Sequence, residues 1–131
     1  MTYKDLNVYQ RAYKVALDLH RFIESESTKI IPNFSERLQT LSRDVLGNIA
    51  EAFAQRTARA KRFFNFKARD LVHTIQMDLD FLHDIHSLPD QEYTDFYREY
   101  EVCSKQLFKL NQSILNNVGK ESKKEQVAVA A

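Results

Sequence analysis

Glycine and proline are scarce in this chain, and that scarcity constrains the fold more than any other feature. The only glycines are Gly47 and Gly119, and the only prolines are Pro32 and Pro89. A β-sandwich or β-barrel needs turn-forming residues about every dozen positions, so an all-β fold is excluded. Gly-rich phosphate loops and dinucleotide-binding turns are excluded as well, because they need several glycines at short spacing.

Length and composition are those of one globular domain. The chain has 131 residues, of which 44% are hydrophobic, enough to bury a core without disulfides. Cys103 is the only cysteine, which rules out an intrachain disulfide or a paired-cysteine metal site and favours a reducing compartment. The sequence has neither a signal peptide nor a stretch of the ~20 apolar residues that span a bilayer. We therefore expect a soluble, cytoplasmic protein that makes no contact with membranes.

Apolar residues recur at helical spacing along the whole chain, which predicts an all-α fold. The first segment has two such stripes side by side. One contains Leu6, Tyr9, Tyr13, Ala16, His20 and Ile23, and the other contains Val8, Ala12, Val15, Leu19 and Phe22. Two adjacent stripes predict a helix with an unusually wide buried face.

Prolines and one capping residue divide this pattern into four helices. A proline disfavours helix at the residue before it, which places breaks at Pro32 and Pro89. An unbroken helix between them would be about 84 Å long, against a radius of gyration of roughly 14 Å for such a domain. We place the required corner at Thr57, the only good capping residue between positions 50 and 62. A capping box from Asn33 to Glu36, with Ser35 as a competing cap, is predicted to open the second helix.

The last helix has the most regular pattern. Its apolar residues alternate steps of three and four: Tyr93, Phe96, Tyr100, Cys103, Leu107, Leu110 and Ile114, continuing to Val118. Gly119 is predicted to end this helix. The helices are predicted at about residues 4–26, 34–56, 58–87 and 90–118, packed as an antiparallel up-and-down bundle in a single domain, residues 1–118. Residues 119–131 are predicted to form a disordered tail.

Positive and negative side chains are segregated, although the formal net charge is only +1. No acidic residue lies between Glu51 and Asp70, and this interval contains six cations: Arg56, Arg59, Lys61, Arg62, Lys67 and Arg69. Between Met77 and Val102, eight acidic residues accompany one arginine or lysine, Arg98. The six cations are candidate nucleic-acid-binding residues, because such a cluster can neutralise phosphates and release counterions. The alternatives are a solvated surface, or pairing between the basic and acidic ends of two subunits.

Three phenylalanines lie within the cationic interval. Phe64 falls on the predicted core stripe of the third helix, whereas Phe63 and Phe66 do not. Two alternative uses fit Phe63 and Phe66: stacking on unpaired bases, or burial against a second subunit. We favour burial at an oligomer interface, which would also cover Tyr9 and Tyr13 on the wide face of the first helix.

Catalytic and metal-binding constellations are not evident. His83 and His86 have ligand-like spacing beside Asp80 and Asp84, but a di-metal bundle takes ligands from all four helices. Interaction with the C-terminal helix dipole is the simpler account of these histidines. Cys103 lies on a core stripe, where an inert thiol is expected. We interpret the chain as a non-enzyme without a metal ion or other cofactor.

Two motifs resemble a known family. Asp5, Leu6, Val8, Tyr9, Gln10, Ala12 and Ala16 resemble its opening signature, and Asn48, Ile49, Ala50 and Glu51, followed by Phe53 and Arg56, resemble its second signature. The family is that of the four-helix-bundle proteins encoded in intervening sequences of bacterial 23S ribosomal RNA genes. The similarity extends, as a four-helix pattern, over about residues 3 to 118.

The resemblance implies an assembly and a class of partner. The family is similar in fold to the accessory proteins of diversity-generating retroelements, which form homopentamers and bind nucleic acid together with a reverse transcriptase. It therefore implies a homopentamer that binds RNA or DNA and presents it to an enzyme such as a reverse transcriptase. The alternative is a protein-protein adaptor or scaffold that binds no nucleic acid and whose basic end docks an acidic partner.

Overall fold

The computed structural model describes residues 1–25 and 30–130, with side chains up to Gly119. A short 3-10 helix at Tyr3–Asp5 precedes four α-helices. These are α1 (Asn7–Ser25), α2 (Pro32–Ala54), α3 (Ala58–Asp84) and α4 (Asp90–Ala130). The predicted all-α fold is confirmed. Glu26, at the predicted end of the first helix, lies outside the described residues.

Consecutive helices pack side by side and run antiparallel. Each helix contacts its two neighbours, in the order α1, α2, α3, α4 and back to α1. Phe34, at the start of α2, stacks on Phe81, near the end of α3, with ring centroids 5.5 Å apart. Asn65, in the first half of α3, bonds to Asn111, which lies 21 residues after the start of α4. The predicted up-and-down four-helix bundle is thus confirmed, with α1 and α3 at opposite corners.

Every helix contributes one stripe to the core, and burial of these apolar side chains is the main favourable term in folding. The stripes consist of Val8, Ala12, Val15, Leu19 and Ile23 on α1; Leu38, Val45 and Ile49 on α2; Ala68, Val72, Ile75, Leu79 and Leu82 on α3; and Phe96, Tyr100, Cys103 and Leu107 on α4. On α1 the core is mainly the second of the two predicted stripes. Tyr13 and His20 of the first stripe are exposed.

The second helix starts earlier than predicted and without a side-chain cap. Pro32 occupies the first helical turn, where its missing N–H costs no hydrogen bond, and the N-cap residue Ile31 contributes no side-chain bond. The predicted capping box from Asn33 to Glu36 is therefore wrong, since Asn33 already lies inside the helix. At its other end α2 stops at Ala54, two residues before the predicted boundary.

The corner between α2 and α3 lies at Thr57, as predicted. The Thr57 hydroxyl accepts a hydrogen bond from the backbone N–H of Ala60 at 3.1 Å, which caps α3. Lys61 of α3 also stabilises the corner, because its Nζ donates a hydrogen bond to the carbonyl oxygen of Phe53 on α2 at 3.0 Å. That bond satisfies one of the carbonyls left free at the end of α2.

Helix ends in the second half of the chain differ from the prediction. α3 ends at Asp84 instead of near Ser87, and His86 takes a left-handed φ of 62° in the turn that follows. α4 continues to Ala130, and Gly119 does not adopt the positive φ of a helix-ending residue, so the predicted end at residue 118 is wrong. By its length α4 reaches about 20 Å farther than α3. A lone helical extension is marginally stable in water, and disorder of residues 119–131 in solution stays a prediction.

Candidate nucleic-acid interface

Antiparallel packing converts the segregation of charge along the sequence into segregation along the bundle. The six predicted cations lie at the corner between α2 and α3 and along the first half of α3, and we call this region the cationic end. The acidic interval covers the last turns of α3 and the first turns of α4, at the opposite end. The two ends of the bundle therefore carry opposite charge.

Among the side chains that the structure describes, no carboxylate neutralises the cations at this end. Arg56, Arg59 and Lys67 are exposed, while Lys61, Arg62 and Arg69 are half-buried. Within the described residues, none of the six has a carboxylate oxygen within 4.0 Å. The first turn of α3 also lacks an acidic residue, although the positive end of the helix dipole favours one there. The resulting positive potential attracts anions.

Exposed phenylalanine rings alternate with these cations. Three cations lie over rings at 5.2 to 5.6 Å from the centroid: Arg62 over Phe66, Lys67 over Phe63, and Arg69 over Phe108. The rings of Phe63, Phe66 and Phe108 are 56%, 42% and 46% exposed. Aromatic rings on a cationic surface are the combination that single-stranded nucleic acids bind, and they are equally suited to an interface between proteins.

The predicted core position of Phe64 is not confirmed. Its side chain is only half-buried, and the neighbouring Asn65 occupies the core with 1% of its surface exposed. Asn65 faces inward because its Nδ2 donates to Oδ1 of Asn111 on α4, at 2.9 Å. Asn111 in turn donates through Nδ2 to the carbonyl oxygen of Arg62 at 3.2 Å. A buried polar pair therefore joins α3 to α4 directly beneath the cationic end.

The part of α4 just before its midpoint contributes residues that the sequence analysis missed. Ser104 is buried, and its Oγ accepts a hydrogen bond from Nε of Arg69 at 3.1 Å. Nε2 of His73 lies 3.0 Å from the same oxygen. Because the hydroxyl is buried and accepts the arginine N–H, this contact positions Arg69. Lys105 and Lys109 are exposed beside it.

A sequence signal for the α4 contribution existed. Between Glu101 and Glu121 the chain has no acidic residue, and this interval contains Lys105, Lys109 and Lys120. It is a second acid-free run like the one in α3. The antiparallel fold places the two runs side by side.

At the acidic end, some carboxylates are neutralised within the bundle. Nε of Arg37 on α2 lies 2.8 Å from Oδ2 of Asp78, which is only 8% exposed. Nη1 of Arg11 on α1 lies 2.7 Å from Oε2 of Glu99. These ion pairs link α2 to α3 and α1 to α4. Two residues of the acidic interval, Asp78 and Glu99, therefore contribute to helix packing.

His83 lies in a cluster between the end of α3 and the start of α4. Its Nε2 is 2.6 Å from Oδ1 of Asp90, and its ring stacks on Tyr93 at 4.2 Å. The Tyr93 hydroxyl donates to Oδ1 of Asp80 at 2.5 Å, and this bond raises the pKa of Tyr93 to about 12. Within the described residues, no group of three or more His, Cys, Asp or Glu side chains could hold a metal ion. The cluster joins two helices.

Cys103, the one cysteine of the sequence, is fully buried in the core. Burial raises the pKa of its thiol to about 12, which keeps it protonated near neutral pH. The thiolate is the nucleophilic form, so the predicted inert character of this cysteine agrees with its surroundings.

The four predicted interface residues do not form one surface. On α1, Tyr9 and Tyr13 stack with ring centroids 6.1 Å apart, and Tyr13 lines a groove of about 230 Å³ between α1 and α2. Phe63 and Phe66 lie on α3, at the opposite corner of the bundle. A single isologous contact therefore does not cover all four residues.

These features define a class of protein: a small all-α four-helix bundle with one cationic, aromatic end. No helix among the described residues is both long enough and apolar enough to cross a bilayer. The chain belongs to the family of 23S rRNA-intervening sequence proteins, whose family model matches residues 4–109. This match confirms the resemblance found in the sequence, and the family is not one of enzymes. Neither a curated protein nor a solved structure shows a significant match to the chain.

Proposed function

We propose that this chain binds nucleic acid through the phosphate backbone and has no enzymatic activity of its own. The observation that supports this proposal is the cationic end, whose six cations lack carboxylate partners within the described residues. Neutralising phosphates with such a cluster releases counterions, which drives binding without base recognition. The membership in a family linked to ribosomal RNA is in keeping with an RNA ligand.

A salt series tests the proposed function. Affinity for structured RNA, single-stranded DNA and duplex DNA is expected to fall steeply as salt rises from 50 to 200 mM. If all six cations contact phosphates, the slope of log K against log salt concentration is roughly −4 to −5. Filter binding with each of the three probes measures it. Absence of binding to every probe at low salt would support the adaptor alternative, in which the cationic end docks an acidic protein.

A homo-oligomer, with the pentamer as its proposed state, is the second part of the proposal. Exposed apolar side chains lie at two opposite corners: Tyr13 and Leu17 on α1, and Phe63, Met77 and Phe81 on α3. A closed ring uses two different surfaces of each subunit, and opposite corners supply them. Five cationic ends in one ring would multiply a weak phosphate affinity through avidity.

The Phe63→Ala/Phe66→Ala variant is expected to lose the oligomer and keep its helical content. Both rings are about half exposed, so their removal leaves the core intact while deleting apolar contact area between subunits. Light scattering measures the mass and circular dichroism the helix content. Phe108→Ala, which removes a similarly exposed ring from α4, is the control and retains the oligomer. A monomeric wild-type mass at tens of micromolar protein would contradict the assembly.

The biological role that we propose is that of a cytoplasmic accessory factor that presents RNA or DNA to an enzyme such as a reverse transcriptase. This part is supported by the similarity in fold between the family and the retroelement accessory proteins. Copurification of the chain with a reverse transcriptase encoded beside its gene tests it. The absence of such a gene, or of a complex, would leave nucleic-acid binding as the proposed function without this partner.

A further inference from the structure

We propose that the cationic end takes unpaired nucleic acid in preference to duplex, with the Phe108 ring as the platform for a base and Arg69 as the adjacent phosphate ligand. This inference rests on the proposed function and deepens it by naming the form of nucleic acid. It starts from the contact between the first half of α3 and the segment of α4 from Ser104 to Phe108.

Arg69 is held in place from two sides. Its Nε donates to the buried Ser104 hydroxyl at 3.1 Å, and its guanidinium carbon lies 5.2 Å from the centroid of the Phe108 ring. His73 lies 3.0 Å from the same hydroxyl oxygen and thereby restrains the hydroxyl. The N–H groups of the two terminal Arg69 nitrogens bond no other described residue. A guanidinium fixed through Nε presents those remaining donors as a planar fork, which matches the oxygens of a phosphate.

The Arg69 guanidinium lies over one face of the Phe108 ring, and Phe108 is nevertheless 46% exposed. Lys105 and Lys109, on the same stretch of α4, are exposed as well, and no acidic residue occurs between Glu101 and Glu121. An exposed aromatic ring that carries a fixed cation over one face matches one nucleotide unit, with the base on the opposite face and the phosphate at the cation. Proteins that bind single strands combine these two elements, since every base has a π face and every linkage a charge.

Preference for the unpaired form follows from the accessibility of the bases. In a duplex each base is already stacked between its neighbours, and only the phosphates can reach this surface. In a single strand a base can leave its neighbours and stack on the face of Phe108 opposite Arg69, while its phosphate stays on Arg69. The phosphate contacts serve both forms, whereas the ring contributes only to the unpaired form.

A second copy of the chain is the other candidate to cover Phe108. The surfaces proposed for assembly lie on the α1 corner and on the outer face of α3, whereas the Phe108 ring is on α4 against Arg69. The local charge also favours a polyanion, because the surface around the ring is positive. We therefore assign the ring to the nucleic acid and make self-association an outcome of the test.

Fluorescence anisotropy on the full chain tests the inference, with a labelled 15-nucleotide single-stranded RNA and a 15-base-pair duplex of the same sequence. Wild type is expected to bind the single strand more tightly. Phe108→Ala and Phe108→Leu are expected to weaken single-strand binding by about tenfold, within the range for loss of one base-aromatic stack, and to change duplex binding by less than about twofold. Phe108→Tyr keeps wild-type affinity. Ile85→Ala, which removes a 40% exposed apolar side chain at the acidic end and outside the proposed assembly surfaces, is the matched control and leaves both affinities unchanged.

The outcomes separate this inference from the proposed function. If wild type binds neither probe, both fail. If it binds both probes but Phe108→Leu equals wild type, or if Phe108→Ala weakens both probes equally, the stacking platform is overturned and phosphate binding stands. A Phe108→Ala variant that is folded by circular dichroism but has lost the oligomer by light scattering would overturn the inference too, because the ring would then belong to a subunit interface.

Discussion

Reversing Arg56, Arg59 and Lys67 to glutamate is expected to weaken nucleic-acid binding roughly a thousandfold and leave the bundle folded. Each phosphate contact contributes about one logarithmic unit of affinity at 0.1 M salt, so the loss of three contacts lowers affinity roughly a thousandfold. The slope of log K against log salt concentration should flatten by roughly 2 to 2.5 units. All three side chains are exposed, and substitutions at such sites usually change the free energy of unfolding by less than about 0.5 kcal/mol each.

Arg62 and Arg69 are left unchanged in this variant because both are half-buried, and Arg69 is bonded to Ser104. A matched control reverses three exposed cations away from the cationic end: Lys14, Arg21 and Arg98. Both variants then carry the same formal net charge. Equal loss of affinity in the two variants would indicate diffuse electrostatic attraction without a site. Unchanged affinity in both would favour the adaptor function.

The Asn111→Leu variant is expected to lose about 3 kcal/mol of unfolding free energy, which corresponds to a melting temperature about 10 °C lower. Asn111 accepts from Asn65 at 2.9 Å and donates to the carbonyl oxygen of Arg62 at 3.2 Å. Leucine leaves the Asn65 amide unpaired in the core, where that side chain is 1% exposed, and leaves the Arg62 carbonyl without this donor. Leaving a buried polar group unpaired costs about 1 to 3 kcal/mol.

The Asn65→Leu/Asn111→Leu double variant is expected to be more stable than the single variant. Replacing both partners removes the unpaired amide, so the two substitutions are strongly non-additive. Urea unfolding of the wild type, both single variants and the double variant gives the coupling energy. Additive losses would show that the larger leucine side chains, and not the unpaired amide, cause the destabilisation.

The helices and the corner at Thr57 could be predicted from the sequence because they depend on local signals. Apolar spacing defines each helix, and the Thr57 hydroxyl bonds to a residue only three positions away. The orientation of α1 depends on its neighbours. Both of its apolar stripes have helical spacing, and contact with α2 and α4 selects the one that includes Val15 and Leu19 and leaves Tyr13 exposed. Asn65 displaced Phe64 from the core for a similar reason, since its partner lies 46 residues away.

The sequence located the cations of the candidate site but not the residues of α4 that lie beside them. The six cations form one run in the sequence, so charge counting located them. Ser104 and Phe108 lie 35 or more residues beyond Arg69, and their relation to it depends on the antiparallel packing of α3 and α4. The pattern of charge on α4 was informative, but its meaning required knowledge of which part of α3 lies beside it.

The opposite charges at the two ends of the bundle also affect how the protein reaches a ligand. A body that is positive at one end and negative at the other experiences a torque in the field of a polyanion, which turns the positive end forward before contact. Random orientation is a main reason why most protein encounters are unproductive, and this torque raises the fraction that succeeds. Salt screens the field within about 10 Å at 0.1 M. The benefit to the association rate is therefore largest in dilute salt and is separate from the strength of the final complex.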